Sequence, residues 1–399
     1  MMQVGKLEMS NKTAKILIID PWCADKSNLY YYTTGLAAGI SEYADVTVIC
    51  QKNCATPDVI NYHLIKIFFP ISYNMKRGTF RLVVRGFEYI WAYFKIFLLS
   101  RKKKFDVIHI EWPLLYSIDK VFFKHLRKST NLFVLKAHNV LPHSSGCRYV
   151  NVFRKIYSIP DVILLHGESL KEEFGTYFPE YKKKVEIQRH GIYLNHSLSY
   201  DINLIEEDVR RKIQSSDKVY LYFGSIHYNK GVDRLIKIWV EDFSSSNSLL
   251  IIAGAVSNQY KDFVDSEATM EKYENILYLE GFAEDNLLNY LVSKSDLVIL
   301  PYRAGSMSGV VFTCAEFSTP ILSTNFGTIR EYVQDKVTGF IVENDNESLR
   351  EGIRSIEANY SKEALSSTGI SLNRTFMENY DWKVIGEKLV REVYCAHIK

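Results

Sequence analysis

Short apolar runs recur along the chain, at 14–20 (AKILIID), 46–50, 105–110 (FDVIHI), 131–137 (NLFVLKA), 162–165, 185–188, 218–223 (KVYLYF), 249–253, 276–279, 297–300 and 321–323. Their length and unbroken apolar character predict strands buried on both faces. Between several of them lie stretches with helical character, at 28–42, 80–99, 232–240 and 309–318. Strand, helix, strand is the pattern of a parallel, doubly wound sheet. Ligands of such sheets bind beyond the carboxyl ends of the strands, so the residues that follow each run are the candidates for chemistry.

Two of the helical stretches stand out. In 309–318 nearly every position is apolar, which predicts a helix buried all round. Ser308 precedes it and can cap its first turn through the hydroxyl; Pro320 stops it. Glu316 is its one carboxylate, and a buried carboxylate needs a partner. In 80–99, apolar residues fall at 80, 83, 87, 90, 94 and 97, with Arg81, Arg85, Glu88 and Lys95 on another face. From Lys66 to Lys104 there are ten basic residues and one acidic. This stretch reads either as a helix packed on the sheet with a solvated basic end, or as a basic, aromatic surface for anionic lipid.

Candidate chemistry gathers at strand ends. Four runs finish at histidines: His109 with Glu111, His138 with Asn139, His166 and His190. One such histidine is ordinary; four at corresponding ends of one sheet predict a polar cleft. No His-x-x-x-His spacing accompanies them, so no metal is expected. In the second half, 218–223 leads into Gly224-Ser225 and on to Lys230-Gly231 before a helix. A glycine-opened loop that ends at a helix start suits an anion. The strand 297–300 leads into a loop with Tyr302-Arg303, then Ser308-Gly309-Val310.

These residues carry a resemblance. The block 295–340, with Glu316, Thr319-Pro320, Gly327 and Glu331, resembles the donor-binding half of a GT-B glycosyltransferase, similar to glycosyltransferase family 4. It is similar to the subgroup with Tyr-Arg and Ser-Gly-Val where other members have the first Glu of a Glu-seven-Glu motif; that position is Ser308. Gly224 to Lys230-Gly231 fits the family's phosphate loop, with Ser225 where Arg is usual. The first loop has Ser27-Asn28-Leu29 where the family often has Gly-Gly.

The resemblance implies two Rossmann-like α/β domains facing across a cleft. The acceptor domain would span 13–195, joined by a C-terminal helix at 376–399, and the nucleotide-sugar domain 196–375. It implies transfer of a sugar from a nucleotide-sugar to a glycan or lipid-linked hydroxyl in polysaccharide synthesis. Retention, by a front-face route, and no cofactor or metal are expected with it. His138, Lys230 and Arg303 would act in catalysis. Glu316, Ser308, Gly309, Val310, Gly224, Ser225, Gly254 and Phe282 would hold the donor. His109, Glu111 and Asn139 would meet the acceptor, and residues 76–104 an anionic membrane surface. Arg303 would replace the cation missing at Ser225. The rival expectations are another GT-B enzyme and a non-catalytic relative that binds nucleotide-sugar or scaffolds polysaccharide assembly.

Composition changes this little. At 399 residues, 47% hydrophobic and 14% aromatic, the chain has room for two cores. A net charge of +3 names no partner and gives no reason to expect nucleic acid. The six cysteines are scattered, with Cys50 and Cys54 the only near pair, which favours reduced thiols over a zinc pattern. The N-terminus lacks an apolar signal core and no run is long enough to span a bilayer. The expectation is a cytoplasmic protein, peripheral on the inner face of the plasma membrane.

Overall fold

The structure, a computed structural model, describes residues 8–9, 12–25, 28–57, 60–141, 146–192, 198–257, 260, 272–281 and 283–398. The chain forms two units. Unit 1 is Met1–Gly191 with Asn379–Lys399, and unit 2 is Ile192–Glu378.

Unit 1 holds a seven-stranded sheet. Its strands are β1 (Lys15–Ile19), β2 (Asp45–Gln51), β3 (His63–Phe68), β4 (Phe105–Ile110), β5 (Thr130–Lys136), β6 (Val162–Leu165) and β7 (Val185–Ile187). All pair in parallel, in the order β3-β2-β1-β4-β5-β6-β7. The order reverses between β1 and β4, so the sheet has its topological switch point there. The run at 14–20 is a strand because Ile16 to Ile19 are all enclosed between helix layers. β3 escapes the apolar-run reading because its residues are mostly half-buried. Helices α1 (Asn28–Ser41), α2 (Thr79–Lys103), α3 (Tyr116–Arg127), α4 (Val150–Tyr157) and α5 (Glu168–Tyr177) connect the strands.

Helix α2 overturns one of the two readings of 80–99, the helix packed on the sheet by its apolar stripe. The stripe at 80, 83, 87, 90 and 94 faces solvent: Phe80 and Phe87 are more than 70% exposed, and Val83, Ile90 and Phe94 are exposed with them. Leu82, Trp91 and Leu98 widen this apolar surface. The face that packs is Tyr89, Ala92, Tyr93 and Ile96 with Glu88 and Ser100. The tyrosines decide it. Tyr89 stacks on Phe69 and donates to Asp119 at 2.7 Å, and Tyr93 stacks on Phe122 of α3 at 4.6 Å. Glu88 accepts the N–H of Ile71 at 2.6 Å, a buried partner that solvent would not supply. No helix among the described residues is long and apolar enough to cross a membrane.

Unit 2 holds six parallel strands: β8 (Val219–Phe223), β9 (Leu249–Gly254), β10 (Ile276–Glu280), β11 (Leu297–Leu300), β12 (Ile321–Thr324) and β13 (Phe340–Val342). Their order is β10-β9-β8-β11-β12-β13, so the switch point lies between β8 and β11. The helices are α6 (Glu207–Ser215), α7 (Val232–Phe243), α8 (Asp285–Lys294), α9 (Gly309–Glu316), α10 (Ile329–Tyr332), α11 (Asn346–Asn359) and α12 (Lys362–Asn379). The chain then returns to unit 1 as α13 (Trp382–Lys388) and a helical continuation through Tyr394. α13 presses on α1: a Cβ on Gly39 would sit 1.9 Å from the Trp382 carbonyl oxygen.

Candidate active site

The switch point of unit 2 gathers two loops, 224–231 after β8 and 301–308 after β11. They are knitted together. Arg303 N donates to Asn229 O at 2.8 Å, and Arg234 of α7, buried, donates to the carbonyls of Pro301 and Tyr302 at 2.9 and 2.8 Å. Gly231 sits at φ +66°, and a Cβ there would lie 1.9 Å from Pro301 O, so only glycine allows this approach. Gly254, at the end of β9, is similarly forced: a Cβ would meet Gly224 O at 1.9 Å. Gly224 and Ser225 are exposed, and Ser225 O accepts from Tyr222 at 2.7 Å.

Lys230 lies with its ammonium 3.7 Å from the centre of the Tyr302 ring. Burial lowers its pKa to about 8. No carboxylate of the described residues lies within ion-pair distance of it. Tyr302 OH meets Ser308 Oγ at 3.1 Å, so the ring spans from Lys230 to the residue before α9. That bond corrects the capping expectation, since the Ser308 hydroxyl makes no cap bond to the helix. The first N–H groups of α9, from Gly309 and Val310, remain the local donors for an anion.

Arg303 reaches this site by its backbone, yet its guanidinium forms a two-pronged ion pair with Asp233 and donates to Tyr228 O at 2.9 Å. The ring of Tyr228 lies 4.4 Å below it. Its charge is therefore answered inside the protein, which removes the geometric basis for the expected replacement of the cation missing at Ser225. Asp233 and Arg234 were not singled out in the sequence, because each looks like the ordinary polar start of a helix.

Helix α9 is not buried all round. Val311, Phe312, Cys314 and Ala315 are buried, but Gly309, Thr313 and Glu316 on one face are half-exposed. The helix is short, and Glu316 is its last residue. Asn373 of α12 donates to Ala315 O at 2.8 Å and fixes that end. Phe282 lies outside the described residues.

The histidines of unit 1 do converge, but inside. His109, His166 and His190 are buried and His138 nearly so. Tyr394 OH lies 2.7 Å from His109 Nδ1; His109 Nε2 lies 3.4 Å from Glu111 Oε1; Glu111 Oε2 lies 3.0 Å from His138 Nε2; and His138 Nδ1 lies 3.0 Å from His166 Nε2. Trp112 covers one face of His138 at 4.1 Å, and Tyr32 meets the ring edge-on. Burial pushes Glu111 up to about 8 and holds His138 well below its usual range. Lys136, fully buried, donates to Gln188 O at 2.7 Å. This corrects two expectations. His109, His138 and His166 join Glu111 in an enclosed network rather than the lining of an open cleft, His190 donates to Gly191 O at 2.6 Å, and His109 and Glu111 are sealed off from an acceptor. Nearest to space are His138 and Asn139, which line a cavity of about 230 Å³ with Trp112, Tyr116 and Tyr157. Lys136 and Tyr394 escaped the sequence reading, since a strand lysine and a distant tyrosine carry no local pattern. Among the described residues no group of three or more His, Cys, Asp or Glu is placed to hold a metal.

Residues 205–369, which contain the whole switch-point site of unit 2, match the family model described as "Glycosyl transferases group 1". This chain is a glycosyltransferase of the GT-B fold. The glycosyltransferase is 23% identical over 320 residues to MJ1607, named an uncharacterised glycosyltransferase, of Methanocaldococcus jannaschii; the match covers 75% of this chain and 79% of the relative. In fold it is similar to the catalytic domain of starch synthase IV from Arabidopsis thaliana bound to ADP and acarbose, with a TM-score of 0.71 at 13% identity, covering 97% and 99% of the two chains. It is likewise similar to HepE of Anabaena in complex with UDP and glucose, with a TM-score of 0.66 at 13% identity, covering 96% and 100%.

Proposed function

We propose that the glycosyltransferase moves a sugar from a nucleoside-diphosphate sugar, held at the switch point of unit 2, to a hydroxyl of a lipid-linked or polysaccharide acceptor bound by unit 1. The observation that carries this reading is Lys230. It is a half-buried ammonium, paired among the described residues with an aromatic ring instead of a carboxylate, and linked through Tyr302 to the residue before α9. Departure of a nucleoside diphosphate develops negative charge, and preorganised cations and amides aimed at that charge lower the barrier. Lys230 with the amides of Gly309 and Val310 supplies them, and Glu316 takes the ribose hydroxyls. Arg303, tied to Asp233, positions the loop that carries Tyr302. The reaction proceeds with retention and without a metal. His138 holds the transferred sugar only if its ring leaves Glu111 or His166, so its part in turnover is to order that wall of the acceptor cavity.

The acceptor is presented at a membrane. The exposed apolar stripe of α2, from Phe80 to Leu98, runs beside Arg81, Lys95 and the basic end Arg101 to Lys104. An apolar face flanked by lysine and arginine lies in the interface of an anionic bilayer, and a cytoplasmic leaflet supplies that charge.

A thermal-shift panel with UDP, GDP, dTDP and ADP tests the donor half of the proposal. A ligand at a hundred times its dissociation constant adds about 2.7 kcal/mol of stability. One nucleotide is expected to raise the melting temperature, and the Glu316→Ala variant to lose most of that rise. No response to any of the four would remove the donor site.

A further inference from the structure

Three of the six cysteines meet in unit 1. Cys23 lies in the loop after β1, Cys50 near the end of β2 and Cys54 in the turn that follows β2. All three are buried, in a small cluster with Tyr30, Tyr31, Ala55 and Leu64. Cys23 Sγ and Cys54 Sγ are 3.5 Å apart, whereas the Cys50 sulfur makes a long contact of 3.9 Å to Ile65 O. A small apolar residue would fill any one of these positions, so packing alone does not call for two sulfurs in contact. Hydrogen bonds from Cys23 and Cys50, together with the nearby Lys66 ammonium, hold the Cys54 thiol well below its ordinary pKa. Cys54 Sγ also contacts Ala55 O at 3.4 Å, and of the pair Cys54 is the thiol whose ionisation these neighbours favour, the form that acts as nucleophile.

We propose that Cys23 and Cys54 form a reversible disulfide when the protein meets a hydroperoxide. The Cys54 thiolate attacks one peroxide oxygen, the O–O bond breaks and hydroxide leaves, giving a sulfenic acid. The Cys23 sulfur then attacks the Cys54 sulfur. The S–O bond breaks, and the oxygen departs as water with the Cys23 proton. Overall, two thiols and one hydrogen peroxide give one disulfide and two waters. The sulfurs must close from 3.5 Å to about 2.05 Å, within the reach of side-chain rotation. The link ties the loop after β1 to the turn after β2. That loop starts at Asp20, which is buried and accepts from Thr33 and from Trp22 N. The modification therefore sits at the carboxyl ends of β1 and β2 in the unit 1 sheet and is independent of the reaction the enzyme performs.

The test is peptide mapping of the reduced full-length protein after stepwise exposure to hydrogen peroxide and blocking of remaining thiols with iodoacetamide. The expected product is one species that has lost two hydrogens, with the Cys23 and Cys54 peptides joined, reversed by dithiothreitol. Cys50→Ser keeps the product, and Cys54→Ser abolishes it. In unsubstituted protein, Cys23 and Cys54 lose alkylation together. A link through Cys50, stable sulfinic acid at Cys54 without a link, or no oxidation below the peroxide concentration that unfolds the protein would each overturn the proposal.

Discussion

Lys230 and Arg303 are two cations a few residues from one another in space with opposite standing. Lys230 is legible in the sequence as the end of a glycine-opened loop before a helix. Its isolation from the carboxylates of the described residues is visible only in the fold, and so is the pairing of Arg303 with Asp233 on another element. Replacing Lys230 by Gln is expected to weaken nucleoside diphosphate binding by about 1.5–3 kcal/mol, the worth of a hydrogen bond to a charged group, read by calorimetry. Its lowered pKa sets a sign. Binding requires the ammonium, so affinity holds below about pH 8 and falls as the pH rises through that value. The Gln variant loses this limb of the profile. For Arg303, a double-mutant cycle with Asp233→Ala is expected to show a coupling of about 0.5–3 kcal/mol in stability. Additive losses would mean the pair is not structural. His109 and Glu111 carry a similar lesson: the strand-end position is readable, but the direction in which the side chain closes depends on Tyr394, which lies far along the chain.

At the scale of elements, buried strands were readable because enclosure on both faces leaves unbroken apolar runs. β3 was not, as an edge strand with half-buried residues leaves none. Helix α2 was located well, and of its two readings the one that packs the apolar stripe on the sheet fails. Spacing identified an apolar stripe, yet the packed face contains Tyr89, Glu88 and Ser100, whose polar atoms find partners inside, and Tyr93, whose ring stacks on Phe122. The two faces can be told apart by experiment. Phe87→Ser with Trp91→Ser is expected to leave the melting temperature nearly unchanged and to reduce sedimentation with phosphatidylglycerol vesicles. Replacing Arg101 to Lys104 by Gln is expected to do the same, at about 1 kcal/mol per charge near the surface. Tyr89→Ala is expected to destabilise the fold by about 3 kcal/mol, since it empties a ring-sized space in the core. Vesicle binding that survives the first two changes would return the stripe to an unexplained exposed surface.

Among the described residues the two large sheets share the order 3-2-1-4-5-6, with a seventh strand added in unit 1; each has a switch point, and a C-terminal segment belongs to the first unit. That return was expected from family resemblance; no apolar run announces it. Its physical cause is visible in Gly39, where α1 and α13 touch too closely for any side chain. Gly39→Val is expected to lower the melting temperature of the protein without changing nucleotide affinity, because it forces α13 away from α1. The central claim is transfer from a nucleotide-sugar, and its most direct measurement is release of nucleoside diphosphate by the purified enzyme. Donors carrying the nucleotide found by thermal shift would be incubated with a lipid-linked acceptor in anionic vesicles. The account predicts steady release that depends on acceptor and is nearly abolished in Lys230→Gln. Tight nucleotide binding without release from any donor would contradict it and leave a protein that binds nucleotide-sugars without acting on them.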